Sequence, residues 1–411
     1  MEPLAGWTQG HQAVLHEGGA SLFPAMVAAI DAAHQQVLLE SYIVSFIGQT
    51  LAVMEALERA ATRGVEVCVL FDGVGSQVPP QAWQLRWSQA GVQWQIFAPG
   101  TRSSLLIPSH WRRLHRKLLV VDQRVAFCGG INLLDDHLTA NGEELEQPRL
   151  DFALEFKGPL VASATRSMVR VWWRLKAMQT LRQGKWRNSL AVLRAQWRAL
   201  NASRMARHNA PSKATEADRA GFAMLWVERD NLRHRTQIER AYLSAIRHAR
   251  ESVVLAHAYF VPGQRLRRAL RQAARRGVQV TVLIQGQFEN FMQYHVARPI
   301  YPSLLRAGVN IVEYRRSDLH AKVAVIDGRW LTVGSSNLDP LSLLLAREAN
   351  VWVDDETLAG VLQRRLLQAV ESESTPLDHE ALAQRSWRSK LADWLAFGIM
   401  RVALVLMGKR Y

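Results

Sequence analysis

Short uninterrupted apolar runs, among them VEVCVLF from Val65, LLVV from Leu118, QVTVLI from Gln279 and KVAVI from Lys322, alternate with stretches whose apolar positions recur at helical spacing. Strands apolar at nearly every position predict a sheet covered on both faces, so the pattern indicates α/β architecture. The pattern also repeats. Ala61 to Gly73 (ATRGVEVCVLFDG) aligns with Ala274 to Gly286 (ARRGVQVTVLIQG), 213 residues later. Each copy opens with an apolar strand running into a tyrosine-containing segment, around Tyr42 and Tyr259. Each later carries an A-G-V triplet, at Ala90 and Ala307, ahead of another short strand. The chain is read as a duplication, with α/β domains over 1–165 and 221–375.

Two segments fall outside the repeat. Arg166 to Arg219 holds 13 Lys plus Arg, two acids (Glu216 and Asp218) and four tryptophans (Trp172, Trp173, Trp186 and Trp197). It predicts a basic, helical connection over 166–220, either solvated between the domains or facing anionic lipid, since Trp prefers the membrane interface and Arg attracts headgroups. Residues 376–411 form a tail whose last part, Trp387 to Tyr411, is strongly apolar. Leu391 to Met407 is too short for a bilayer span and is interrupted by Asp393 and Arg401. This segment is expected to lie on a membrane surface, the competing reading being a helix packed on the protein.

Composition narrows the partners. Over 411 residues, 48% hydrophobic and 21% charged, the chain can bury sizeable cores and is neither disordered nor dependent on disulfides. The net charge of +15 implies an anionic partner: nucleic acid, anionic lipid or a phosphorylated substrate. Cys68 and Cys128 sit in apolar runs and are read as buried free thiols of a reducing compartment. The first twenty residues contain no Lys or Arg and no signal-like apolar run, so export is not expected.

The chemistry is concentrated in one motif that occurs twice. His115-x-Lys117-x4-Asp122-x6-Gly129-Gly130-x-Asn132 matches His320-x-Lys322-x4-Asp327-x6-Gly334-Ser335-x-Asn337 position for position. Chance would supply roughly 0.01 copies of its His-Lys-Asp core in a chain of this composition. On a strand, residues i and i+2 share a face, so each histidine and its lysine project together. Asp327-Gly328 is a hairpin turn signal, and the returning strand brings Asn337 beside His320. An imidazole, an ammonium and a carboxamide converging in this way suit a tetrahedral phosphate. The lysines supply charge and Asn132 and Asn337 supply donors. Two hairpins meeting at a pseudo-twofold axis give one site with two histidines, one to attack phosphorus and one to move protons. No metal and no cofactor is expected, because the lysines neutralise the phosphate. Asp122 and Asp327 belong to the motif but fall on the turn side, where they tie the hairpin down. Orientation of the imidazoles calls for carboxylates from other strands, and the candidates are Asp151 and Glu348.

The duplicated HxKxxxxD with its G-[GS]-x-N sequel resembles the phospholipase D superfamily. More narrowly, LESYI, HRKLLVVD, AHAYFVPG, EYRRSDLHAKVAVID and GSSNLDPLSL resemble bacterial cardiolipin synthases of the short B type, over roughly Gln12 to Asp355. The resemblance implies two phospholipase D-type domains, each a mixed sheet flanked by helices, with the site at their interface. It implies a catalytic set of His115, Lys117, Asp122, His320, Lys322 and Asp327, with Asn132, Asn337 and Ser335 on the phosphate. The implied reaction is phosphatidyl transfer between phosphatidylglycerol molecules with release of glycerol, His115 being the preferred nucleophile. Gly130 departs from the pattern by standing where the second copy has Ser335. The expected partner is anionic phospholipid at the cytoplasmic face of a bacterial membrane, not nucleic acid. The alternatives are another phospholipase D-type phosphodiesterase and a non-catalytic anionic-lipid or nucleic-acid binding protein.

Overall fold

The computed structural model describes residues 6–98, 112–139, 142–182, 221–230, 234–287, 291–339, 346–378, 382 and 386–406. Its strands fall on the apolar runs. In the first half these are β1 (Thr8–Glu17), β2 (Gln36–Ser41), β3 (Glu66–Asp72), β4 (Gln93–Phe97), β5 (Arg113–Leu114), β6 (Leu118–Val121), β7 (Val125–Gly129) and β8 (Phe152–Lys157). The second half repeats all of them but β5, with β9 (Phe222–Arg229), β10 (Ser252–His257), β11 (Gln279–Gln285), β12 (Asn310–Tyr314), β13 (Lys322–Ile326), β14 (Trp330–Gly334) and β15 (Ala346–Asp354), and adds β16 (Ser374–Pro376). Helices α1 (Gly18–Asp31), α2 (Leu51–Thr62), α3 (Gln81–Ala90) and α4 (Val161–Arg182) belong to the first half. Helices α5 (Gln237–His248), α6 (Gln264–Arg275), α7 (Phe291–Ala297), α8 (Tyr301–Leu305) and α9 (Glu356–Ser372) belong to the second, and α10 (Trp387–Leu406) follows.

The strands form one continuous sheet in the order β16-β12-β11-β10-β13-β14-β15-β9-β1-β8-β7-β6-β2-β3-β4. Read outward from the β1–β9 seam, the two halves have the same order: a first strand, three antiparallel partners, then three parallel strands. This is the duplicated mixed α/β architecture that the sequence pattern predicts.

Apolar packing occurs in three layers. One core lies between the first half's sheet and α1 to α3, around Phe23, Met54, Val69 and Trp87. A second lies between the other half's sheet and its helices, around Tyr242, Leu270, Leu304 and Trp352. The third is common to both halves and joins Leu154 and Phe156 to Val323 and Val351 through α4 and α9. Helix α4 is the described part of the Trp/Arg-rich connection. Its Met168, Val171 and Trp172 are buried in that shared core, so Trp172 cannot face lipid. The rest of the connection lies outside the described residues.

The tail helix is packed on the protein along one side and exposed along the other. Helix α10 packs on α7 through Ala396 and Met400, and Asp393, far from interrupting an apolar surface, is buried with its carboxylate 2.6 Å from His295 Nδ1. The other side of the helix leaves Trp387, Leu391, Trp394, Leu395, Ile399 and Val402 exposed. No described helix is long and apolar enough to cross a membrane.

Candidate active site

Both motif hairpins turn through left-handed backbone, at Asp122 and Gln123 (φ 49° and 55°) in the first half and at Asp327 and Gly328 (φ 51° and 60°) in the second. Such primed turns match the twist of the strands they join. The motif aspartates make them affordable for non-glycine residues. Asp122 accepts from the backbone N–H of His34, Gln35 and Gln36, and Asp327 from those of Arg250, Glu251 and Ser252. Burial opposes the charge of Asp122, but those N–H donors hold its carboxyl below the usual range. Asp122 and Asp327 therefore stand at the far end of β6 and β13 from the histidines, about 20 Å of strand away. They anchor each hairpin to the start of β2 or β10.

At the other end each histidine is suspended from the opposite half of the molecule. The backbone N–H of His115 donates to Arg347 O at 3.0 Å, and that of His320 donates to Leu150 O at 2.9 Å. The next residue in each case supplies a carboxylate. Glu348 lies 3.0 Å from His115 Nδ1, and Asp151 lies 2.6 Å from His320 Nδ1. The two candidate carboxylates are thus brought to the two imidazoles crosswise, a pairing that the sequence alone left open. A carboxylate on Nδ1 fixes that nitrogen as the protonated one and presents Nε2 outward as the reactive atom.

The lysines complete one electrostatic unit. Lys117 and Lys322 are buried, and each donates from Nζ to the carbonyl of its own histidine. Burial lowers the pKa of His115, with Glu348 opposing and Lys117 and Lys322 adding to the effect. Burial likewise holds His320 well below the ordinary range, assisted by Lys322, Lys117, Arg149 and His115. Both ammonium groups are therefore felt at both imidazoles, and the two hairpins form a single site. Burial, reinforced by Lys322, also brings Lys117 down to about 7, while burial pushes Asp151 up to about 7 against the pull of both lysines.

Asn132 accepts from Ile43 N through Oδ1 at 3.2 Å, and Asn337 is buried with Oδ1 unbonded. Ser335 differs from its expected role. Its hydroxyl donates to Glu348 Oε2 at 2.5 Å and accepts from Ala349 N, so its one proton is committed to the carboxylate and not to phosphate. Gly130 has a steric origin: a Cβ there would lie 2.2 Å from Asp151 Oδ1. The shorter aspartate fills the space that serine occupies beside the longer glutamate.

Tyr42 escaped sequence reasoning as a site residue. Its ring lies 4.8 Å from the His115 imidazole and 5.3 Å from Lys117 Nζ. The strand register gives the second half Ala258 at that place, since Ser41 and His257 end equivalent strands. The offset from Tyr259 is what hid it. Among the described residues, Glu228, Asp230 and His234 have metal-ligand spacing. Glu228, however, is already held by Arg116, Arg170 and Ser167, outside the histidine pocket.

A family model described as cardiolipin synthase, PLD-like domain, matches residues 26–146 and 242–369. Cardiolipin synthase B of Salmonella typhi is 37% identical over 405 residues, covering 98% of this chain and 91% of that protein. Cardiolipin synthase B of Escherichia coli (strain K12) is 35% identical over 413 residues, again covering 98% and 91%. The crystal structure of phosphatidylserine synthase from Haemophilus influenzae Rd KW20 has the same fold, with a TM-score of 0.66 at 12% identity, covering 97% of this chain and 96% of that one.

Proposed function

This chain belongs to the cardiolipin synthase family of phospholipase D-like proteins, and from that premise we propose that it transfers a phosphatidyl group from one phosphatidylglycerol to a glycerol hydroxyl of another, releasing glycerol. The observation that carries this reading is the crosswise pair of histidine–carboxylate bonds, which engages both Nδ1 atoms and leaves Nε2 of each imidazole as the reactive atom beside two buried lysines. In the first step His115 Nε2 attacks phosphorus and the P–O bond to glycerol breaks, while His320 gives its proton to the departing oxygen. In the second step the incoming hydroxyl returns a proton to His320 and displaces His115, breaking the P–N bond. The Asp151–His320 pair suits the proton-transfer role, because a carboxyl titrating at about 7 lets the pair hold a transferable proton near neutrality. Lys117, Lys322, Asn132 and Asn337 stabilise the phosphate oxygens as charge builds on them. Purified protein incubated with phosphatidylglycerol vesicles should yield cardiolipin and glycerol in equal amounts, resolved by thin-layer chromatography. Phosphatidic acid without cardiolipin would make the protein a hydrolase. EDTA should leave the rate unchanged, and loss restored by magnesium would defeat a reaction in which lysines alone neutralise the phosphate.

The reading extends to location. We assign the protein to the cytoplasmic membrane face, where thiols such as Cys68 and Cys128 stay reduced. The exposed apolar face of α10 is the surface that supports attachment there, flanked by Arg388, Lys390 and Arg401. Replacing Trp394 and Ile399 by serine should make vesicle binding sensitive to high salt, while the buried side of α10 keeps its packing. Binding that is equally salt-resistant in that variant would leave α10 as an ordinary surface helix.

A further inference from the structure

The residue just before each catalytic histidine is bonded to its own half, by a side chain that the reaction itself does not use. The N–H of Leu114 donates to Asp72 Oδ2 at 2.7 Å, and the N–H of Leu319 donates to Gln285 Oε1 at 3.3 Å. Both acceptors are buried and occupy the same place in the fold, at the last residue of β3 or of β11, where the duplicated segments read F-D-G and I-Q-G. Each side chain also accepts from the backbone just beyond its strand: Asp72 from Val74 and Gly75, Gln285 from Gly286. A rigid strand end thereby fixes the turn that follows it and the strand that delivers the histidine.

We propose that Asp72 and Gln285 are paired positioning residues that set the depth of His115 and His320 in the shared site. The opposite half bonds the histidine itself through its N–H and Nδ1. The own half holds Leu114 or Leu319 one residue earlier, and the imidazole is suspended between the two supports. Asp72 divides this work between two oxygens, Oδ2 for Leu114 and Oδ1 for Val74 and Gly75, whereas Gln285 takes Leu319 and Gly286 on Oε1 alone, so an amide serves in the second copy. The charges around the two supports differ accordingly. Asp72 faces the cation of Arg113 on the hanging strand and Lys117 and Tyr42 on its neighbours, whereas Gln285 donates from Nε2 toward Asp318 Oδ1 at 3.4 Å. A carboxylate at 285 would meet the carboxylate of Asp318, and the amide avoids that repulsion.

The inference rests on the assignment of His115 and His320 as the reacting groups. Asp72→Asn and Gln285→Glu separate acceptor from charge. Asp72→Asn can offer its one oxygen to Leu114 only by turning its NH2 toward the N–H groups of Val74 and Gly75, so it should lower kcat by about tenfold, whereas Asp72→Ala and Gln285→Ala, which free the histidine strand by an ångström or so, should each lower kcat by about 10²-fold with KM little changed. Gln285→Glu should be impaired near neutral pH and recover as acid neutralises one of the paired carboxyls. Wild-type kcat in Asp72→Ala, or equal damage in Asp72→Asn and Asp72→Ala, would overturn the proposal. So would a parallel collapse of kcat, KM and thermal midpoint in both alanine variants, the mark of general unfolding. Proton NMR of the histidine Nδ1–H resonances keeps the test independent of turnover. The carboxylate-bonded signal of His115 should be lost in Asp72→Ala and kept in Asp72→Asn, even if the wild type proved not to make cardiolipin. An unchanged signal in Asp72→Ala would sink the inference and leave the proposed reaction untouched.

Discussion

The two halves of this molecule share strand order, turn geometry and motif spacing, yet they surround their histidines differently. His115 has a long carboxylate, Glu348, steadied by the Ser335 hydroxyl, and an aromatic neighbour, Tyr42. His320 has a short carboxylate, Asp151, backed by a glycine, and lies among Lys322, Lys117 and Arg149. Beneath the motif strands the contrast is sharper. Arg116, between His115 and Lys117, is buried with its guanidinium 2.7 Å from Glu40, and its counterpart between His320 and Lys322 is Ala321. Glu40 pairs with Leu118 where Ala256 pairs with Val323, so the acid, too, has become alanine in the second half. Divergence has gone by coupled pairs: ion pair for alanine pair, Glu–Ser for Asp–Gly. Each exchange leaves no charge buried alone and no side chain in collision, the two outcomes that cost most in a packed interior.

Experiments that break the comparison begin with the histidines. His115→Ala and His320→Ala should each cut transfer by at least about 10³-fold while thermal midpoints stay close to wild type. An acid quench with labelled lipid should trap the adduct on His115, and label on His320 would exchange the two roles. Near-normal turnover in either variant would show that one histidine suffices. Arg116→Ala comes next, since it strands Glu40 as a buried acid and should cost about 3–5 kcal/mol in urea unfolding. Adding Glu40→Ala recreates the second half's alanine pair and should recover part of that loss. An additive double variant would mean that the two residues are not energetically a pair.

The pH profile sharpens the comparison more gently. Burial and Lys322 bring Lys117 down to about 7, so kcat/KM should fall as pH rises through about 7, when the free enzyme loses its ammonium. A bound phosphodiester favours the charged form, so the corresponding limb in kcat should lie at higher pH. Lys117→Arg should remove the limb while lowering the rate, since a planar guanidinium cannot replace a compact ammonium. An alkaline limb that survives in that variant would belong to another group. The smallest effect is expected where the halves are alike. Asp122→Ala and Asp327→Ala should each lose about 1–3 kcal/mol of stability through orphaned backbone N–H groups, with kcat almost unaffected. A large fall in kcat from either would return these aspartates to the chemistry.

What was legible in the sequence was whatever lies along one strand or recurs at a fixed interval. The duplication, the histidine–lysine face and the Asp327-Gly328 turn are local, and short-range geometry determines them. The crosswise bonding of Glu348 to His115 and of Asp151 to His320 depends on how two distant halves meet, and no spacing encodes that. The bond from Ser335 to Glu348 was not legible because the serine's motif position suggests phosphate, while the acceptor lies on another strand. Tyr42 was hidden by a one-residue offset from Tyr259, which made the two tyrosines look equivalent. Asp393 read as an interruption of the apolar tail because a helix can be apolar on two sides, and only the partner, His295, reveals which side carries a buried charge.

The seam between β1 and β9 bears on how such a molecule could diversify. Two identical subunits meeting about a twofold axis present one self-complementary surface, so every substitution appears twice and must fit against its own copy. Joined in a single chain, the halves escape that condition. A carboxylate can be lengthened opposite one histidine without being lengthened opposite the other, and an arginine can enter one core without colliding with itself. Covalent tandem linkage turns a symmetric pocket into one with two distinguishable sides, which the proposed reaction can use, since its donor lipid and its acceptor lipid would be the same molecule performing different parts.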